Sequence, residues 1–250
     1  MKHGNVIKKV SLTQGDLSKI NHYTRSELSA DDVYAFSIVL CDNEVDRDYE
    51  RFSIDALHKL AKLYVGKPGI QDHVPSTQNQ VARTYDAWVE QDTSKRTMAG
   101  ETYHQLIAKA YIPRSETAEP LIQDIDAGIK KEVSVGCSLT SSTCSICGKS
   151  AFECEHRRGQ KYDGKLAHFI LSDPIDAYEW SFVAVPAQRA AGVIKSFAPD
   201  EISEAIAALA ECDLSGQTEN IRKLLALSLD PGEKRERQEI LEENKKYLEV

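Results

Sequence analysis

The apolar and polar positions divide the chain into short strands with helices between them. Val33–Cys41, VYAFSIVLC, is short, β-branched and aromatic, the pattern of a buried strand. The charged stretch DNEVDRDYER after it reads as a turn or loop. From Ser53 to Tyr64 the apolar residues Ile54, Leu57, Leu60, Ala61 and Tyr64 recur at helical spacing. Gly66–Gly69, GKPG, punctuates that helix. Val81–Glu90 and Gln105–Ile112 alternate as strands do, the second with Leu106, Ala108, Ala110 and Ile112 on one face. Leu121, Ile122 and Ile125 predict a helix that stops at Gly128. Three more strands are expected at Glu132–Leu139, Leu166–Leu171 and Tyr178–Val185. Residues 1–31 carry only weak signals, and no internal repeat is visible. Strands dominate without regular βαβ alternation, so the pattern predicts an α+β domain with a largely antiparallel sheet or barrel.

The pattern changes near Phe197. Asp200 is placed to cap a helix carrying Ile202, Ala205, Ile206 and Leu209, and Thr218 another carrying Ile221, Leu224, Leu225 and Leu227. Pro231-Gly232 breaks the second, and Glu233–Val250 is a charge-dense helical tail. The expected organisation is a domain over residues 1–197, with an insertion at 140–165, and a helical charged tail over 198–250. That tail reads either as solvated helices or as a partner-binding arm.

At 250 residues and 41% hydrophobic, the chain can bury one sizeable core. The net charge of −8 argues against a nucleic-acid partner. No apolar run approaches the roughly 20 residues that span a bilayer, and MKHGNVIKKV lacks a signal peptide's apolar segment. The expectation is a cytoplasmic protein with no membrane partner.

The six cysteines are Cys41, Cys137, Cys144, Cys147, Cys154 and Cys212. In CSICGKSAFECEH, Cys144 and Cys147 form a Cys-x-x-Cys-Gly turn, and Cys154 and His156 follow as Cys-x-His. Four N/S donors so close in sequence suit a tetrahedral Zn²⁺ site. Gly148 would let backbone N–H groups approach the sulfurs. With every position filled by protein, the zinc is expected to be structural. Reduced surface cysteines are the plain alternative, and a redox pair fits less well, because this Cys-x-x-Cys does not open a helix after a strand.

Ten residues before Cys144 stands Ser134, in EVSVGCSL. Val133, Val135, Cys137 and Leu139 share one strand face, and Ser134, Gly136 and Ser138 the other. Ser134 is therefore either a nucleophile or simply the polar side of an amphipathic strand. A nucleophilic serine needs a base within hydrogen-bond reach. Of the seven histidines, His73 stands out, in the polar loop GIQDHVPST just before a strand. His3, His22, His58, His104 and His168 read as structural or surface residues. Glu179, between Tyr178 and Trp180, is a strand carboxylate that needs a partner or a task.

Three patterns come in order: QDHVPS, then DIDAGIKKEVSVGCS, then YEWSFVAVPAQRAA, in which Glu179, Ser181, Val183 and Pro186 follow an E-x-S-x-V-x-x-P spacing. Together they resemble the tailed-phage prohead proteases, the capsid-maturation serine proteases related to the herpesvirus assemblins, over roughly Val33 to Phe197. The resemblance implies a mostly antiparallel β-barrel wrapped by helices. It implies a serine endopeptidase with Ser134 as nucleophile, His73 as general base and Glu179 as orienter. The herpesvirus relatives use a second histidine in the third role, which makes His168 the alternative to Glu179. The Cys144–His156 knuckle is a departure from the family pattern. The implied substrates are the protease itself and the major capsid protein with its scaffold segment. The portal is a further partner, a homodimer or larger homo-oligomer the active form, and the assembling procapsid in the host cytoplasm the location. Two rival readings stand: a zinc-stabilised, non-enzymatic capsid scaffolding or structural protein, and a zinc-dependent hydrolase with His73 or His156 near the metal.

Overall fold

In the computed structural model, residues 10–198 are described. The chain divides into two units, Met1–Pro199 and Asp200–Val250. The helices expected for the tail lie outside the described residues, as does Cys212.

The central strand is β2 (Val33–Asp42), buried along its whole length. Tyr34, Phe36, Ile38 and Leu40 enter the main core, while Val33 and Ala35 enter a smaller cluster on the other face. That second cluster explains a helix the apolar pattern does not announce. Helix α1 (Gln14–Asn21) follows the short strand β1 (Val10–Ser11) and is capped reciprocally by Thr13 and Asp16. It contributes Ile20 to a cluster with Leu12, Tyr85 and Tyr111.

After β2 come β3 (Glu50–Phe52) and α2 (Ile54–Tyr64). The Ser53 hydroxyl caps α2 by accepting the Ala56 N–H at 3.1 Å. Of the residues that the helical spacing picks out, Leu57, Leu60, Ala61 and Tyr64 are buried and Ile54 is half-buried at the start of the helix, while Ala56 is buried as well. Burying each leucine contributes about 1.5–3 kcal/mol. Next are β4 (Pro68–Gln71), β5 (Ala82–Arg96), β6 (Thr102–Pro113) and α3 (Glu119–Asp126). Leu121, Ile122 and Ile125 of α3 join the main core. The chain ends its described part with β7 (Val133–Cys144), the hairpin strands β8 (Lys161–Tyr162) and β9 (Lys165–Leu166), β10 (Phe169–Phe182) and β11 (Gly192–Ala198).

Among the described residues, nine strands form one sheet in the order β1-β11-β2-β6-β5-β4-β10-β3, with β7 pairing β10. Strand β10 is the junction. It runs parallel to β3 and β4 and antiparallel to β7. The β10–β7 ladder shifts register twice, between Pro174 and Asp176 and between Ala177 and Glu179. Sequence alternation places two strands over Leu166–Leu171 and Tyr178–Val185; Phe169–Leu171 of the first and Tyr178–Phe182 of the second belong to the single strand β10, while Leu166 falls in β9. Pro174 within the Ser172–Ala177 stretch lacks an N–H, yet it stays in the ladder opposite Leu139, and bulges at Ile175 and Tyr178 follow it.

The architecture is mixed α/β, one large sheet with three helices among the described residues. The sheet curls until Glu132, just before β7, bridges Gly192 at the start of β11. Beyond that bridge β7 follows β10 toward the cysteines. The seam is therefore one bridge, and no continuous ladder closes a barrel among the described residues.

Candidate active site and metal centre

Strands β4 and β10 lie parallel with Ile70 opposite Ser181 and Gln71 opposite Phe182. The chain then leaves β4 through two left-handed residues, Asp72 (φ 52°) and His73 (φ 54°). For residues with a Cβ this conformation is costly and needs local support. The Asp72 N–H donates to the Phe182 carbonyl at 3.0 Å, and the His73 N–H donates to Ser181 Oγ at 3.0 Å. The bend turns the His73 ring back over β10. Its Nδ1 lies 2.9 Å from Glu179 Oε1, and Ser181 Oγ donates to Glu179 Oε2 at 2.7 Å. The Glu179 side chain is 13% exposed and that of His73 is 41% exposed. A largely buried carboxylate thus holds one imidazole nitrogen of a partly exposed ring.

Strand β7 brings the serine. Gly136 stands opposite Glu179 and Ser134 opposite Ser181, so these four residues share one face of the ladder. Val133, Trp180 and Phe182 occupy the core face. The structure therefore gathers His73, Glu179 and Ser134 on one side of the β7–β10 pair. The His73–Glu179 contact is formed. No hydrogen bond joins Ser134 to His73 among the described residues.

From the sequence, Ser181 is only the serine of the E-x-S-x-V-x-x-P spacing and Gly136 only the residue that makes room beside Ser134. Ser181 is fully buried and touches both His73 and Glu179. Its signal was the serine two places after Glu179, which alternation puts on the same face. Gly136 accommodates the Glu179 carboxylate, since a Cβ there would overlap Oε1. The Tyr64 hydroxyl donates to the Gly136 carbonyl at 3.1 Å. Burial raises the Tyr64 phenol well above its usual pKa and pushes the nearby Cys137 thiol up to about 11, so both are neutral. A cavity of about 190 Å³ reaches Ser134, with Leu40, Phe52, Cys137 and Leu139 in its wall and Asp46 and Asp48 beside them.

His168 sits elsewhere. It precedes β10 at the end remote from Glu179, where its Nε2 accepts from Arg51 Nε at 3.2 Å and its Nδ1 lies 3.1 Å from the Leu166 carbonyl. Its N–H donates to Ser145 Oγ at 3.0 Å. Burial lowers its pKa, consistent with a neutral ring donating to Leu166. Arg51 in turn binds Glu101 through both terminal nitrogens, at 2.8 and 2.9 Å. As the alternative third member of the site, His168 is displaced by this Arg51–Glu101 network, and Glu179 holds the place beside His73. A larger cavity of about 680 Å³ adjoins this network, with Arg51, Ser145, Lys161 and His168 in its lining, and it contains none of Ser134, His73 or Glu179.

Cys144 ends β7, opposite Phe169. The chain then turns through Cys147 and Gly148, and the Gly148 N–H closes the turn on the Cys144 carbonyl at 2.9 Å. The N–H groups that act on the Cys144 sulfur are those of Ile146, at 3.4 Å, and Cys147, rather than that of Gly148. Burial opposes ionisation of the Cys144 thiol, but N–H groups from Cys147 and Ile146 and the neighbouring thiols outweigh it and lower its pKa. One donor atom from each of Cys144, Cys147, Cys154 and His156 lies within 4.8 Å of the others. The Cys147 and Cys154 sulfurs are 3.5 Å apart, and His156 Nδ1 is 3.5 Å from the Cys154 sulfur. These four residues sit close together and could hold a metal ion. His73 is not among them.

Comparison with protein-family models, with curated proteins and with solved structures finds no match to this chain.

Proposed function

We propose that the protein is a serine endopeptidase of the prohead-protease type, with Ser134 as nucleophile, His73 as general base and Glu179 as orienter. The observation that carries this reading is the 2.9 Å contact between His73 Nδ1 and Glu179 Oε1 on the face that Ser134 shares. Glu179 would hold the proton on Nδ1 and so leave Nε2 free to accept one. During attack, Nε2 takes the Ser134 hydroxyl proton as Oγ bonds to the peptide carbonyl carbon. The C–N bond then breaks, and His73 returns the proton to the leaving amine. Water, activated by the same nitrogen, releases the acyl group.

The resemblance supplies the rest of the proposal. The curled sheet is taken as the counterpart of the herpesvirus-protease barrel. The substrates would be the capsid protein's scaffold segment and the chain itself, cut by a homo-oligomer inside an assembling procapsid, with the portal as a further contact.

The metal proposed for the Cys144, Cys147, Cys154 and His156 set is Zn²⁺. Zn–S bonds of about 2.3 Å in a tetrahedron put donors about 3.8 Å apart, near the 3.5 Å separations found. Four protein donors leave no open position, so the ion would cross-link its loop and take no part in hydrolysis. The same observation supports the rival reading, a zinc-stabilised scaffolding protein without activity.

A fluorophosphonate probe separates the two. Intact-mass measurement is expected to show one adduct on the wild-type chain and none on Ser134→Ala or His73→Ala. An unlabelled wild type, or equal labelling of Ser134→Ala, would remove the protease reading and leave the scaffolding one.

A further inference from the structure

We propose that Ser181 is a positioning residue of the active site: its hydroxyl locks the His73 backbone and the Glu179 carboxylate into one arrangement. This rests on the roles assigned above to His73 and Glu179. The inference starts from an unusual pair of bonds on one oxygen. Ser181 Oγ accepts the His73 main-chain N–H at 3.0 Å and donates its own proton to Glu179 Oε2 at 2.7 Å. Glu179 uses its other oxygen for the His73 ring. The three residues therefore form a closed circuit: ring to carboxylate, carboxylate to hydroxyl, hydroxyl to the backbone that carries the ring.

Each bond in the circuit fixes a different freedom. The Ser181 proton anchors one carboxylate oxygen, so the other must face His73. The His73 N–H anchors a residue whose left-handed backbone would otherwise relax. Ser181 is fully buried and sits on the strand that carries Glu179, so it transmits the rigidity of β10 to the loop. Ordinary packing would not require a hydroxyl here. A buried strand position prefers an apolar side chain unless its polar atom is satisfied, and both of Ser181's satisfying partners belong to the site. Ser181 touches neither the nucleophile's proton nor the substrate in this scheme; it acts through His73 and Glu179.

The test uses the full chain and two readouts. The first is the rate of fluorophosphonate labelling at Ser134 in wild type, Ser181→Ala and Ser181→Thr. Misplacing His73 by about 1 Å should slow Ser181→Ala by roughly 10²-fold, and Ser181→Thr, which keeps the hydroxyl, should recover most of the rate. The second is amide hydrogen exchange by NMR. In Ser181→Ala the His73 amide should lose protection, while the Val183 amide, which donates to the Glu132 carbonyl at 3.1 Å, keeps it. Unchanged labelling with a protected His73 amide would overturn the proposal. So would a loss of protection that His73 and Val183 share, which would mean that Ser181 supports the sheet at large. If the wild type is not labelled at all, the peptidase reading fails, and the His73 amide still decides whether Ser181 holds the loop.

Discussion

The Glu179 carboxylate occupies the space that a side chain on Gly136 would fill. A Cβ placed on Gly136 would overlap Glu179 Oε1, the oxygen that contacts His73. The glycine in the serine strand thus makes room for the Glu179 carboxylate one strand away. Gly136→Ala should fold, at a cost of about 1–3 kcal/mol for the overpacking. It should push the carboxylate off His73 and slow Ser134 labelling by roughly 10²-fold. Thermal unfolding and labelling kinetics on one preparation check both parts.

Glu179→Gln should separate geometry from charge. The amide fits the same space but offers an NH₂ to Nδ1, which places the ring proton on Nε2, where it cannot accept from Ser134. Activity is expected to fall on the order of 10³–10⁴-fold with little change in melting temperature. A variant that keeps its labelling rate would remove Glu179 from the site.

The metal centre should be separable from the sheet. Elemental analysis is expected to find zinc stoichiometric with the chain, and Cys154→Ser or a strong chelator should remove it. Metal binding is coupled to the order of the segment that provides the ligands. Hydrogen exchange should therefore rise across residues 145–168, while the amides of β2 and β6, remote in the sheet order, stay protected. A full zinc complement in Cys154→Ser would exclude that sulfur as a ligand.

Asp16 should give the stability curve an acid limb. Burial works to raise its pKa, but hydrogen bonds from Lys109 and Thr13 outweigh burial and hold the carboxyl below its ordinary 3.8. A carboxyl whose folded pKa is depressed contributes stability that is present above the unfolded value and lost as pH falls through the folded one. Asp16→Asn should therefore cost about 1–3 kcal/mol near neutral pH. The gap from wild type should close as pH falls below 3.8. Denaturant titrations across that range measure it.

Much of this arrangement is legible in the sequence where one face is apolar. Helices α2 and α3 follow from periodicity because each buries an apolar stripe, and β2 follows from a short β-branched and aromatic run that is buried throughout. The metal donors follow from spacing alone. Where signals compete, the sequence misleads. Pro68 and Gly69 look like a helix breaker, yet they belong to β4, and Gly69 is small because the Trp180 indole lies where its Cβ would be. Glu50 and Arg51 read as part of a charged loop, although β10 recruits them with Phe52 as a parallel strand. His73 and Glu179 could each be singled out, but their contact depends on a left-handed turn at two residues that are not glycine, and no side-chain pattern announces one. Ser181 stands out only as the serine of the E-x-S-x-V-x-x-P spacing, because its hydrogen bonds to His73 and Glu179 depend on that same turn.

Strand β10 sets fourteen residues against the twelve of β7. The two it has in excess are the looped-out Ile175 and Tyr178, both with exposed side chains. They act as slack between the two ends of the ladder, where the Glu179–Gly136 pairing and the Cys144–Phe169 pairing would otherwise share one count. A residue gained or lost on the cysteine side can be absorbed at either bulge, with Ser134 still facing Ser181. The loop that gathers the cysteines can therefore drift in length over evolution, while the serine, histidine and glutamate keep their alignment.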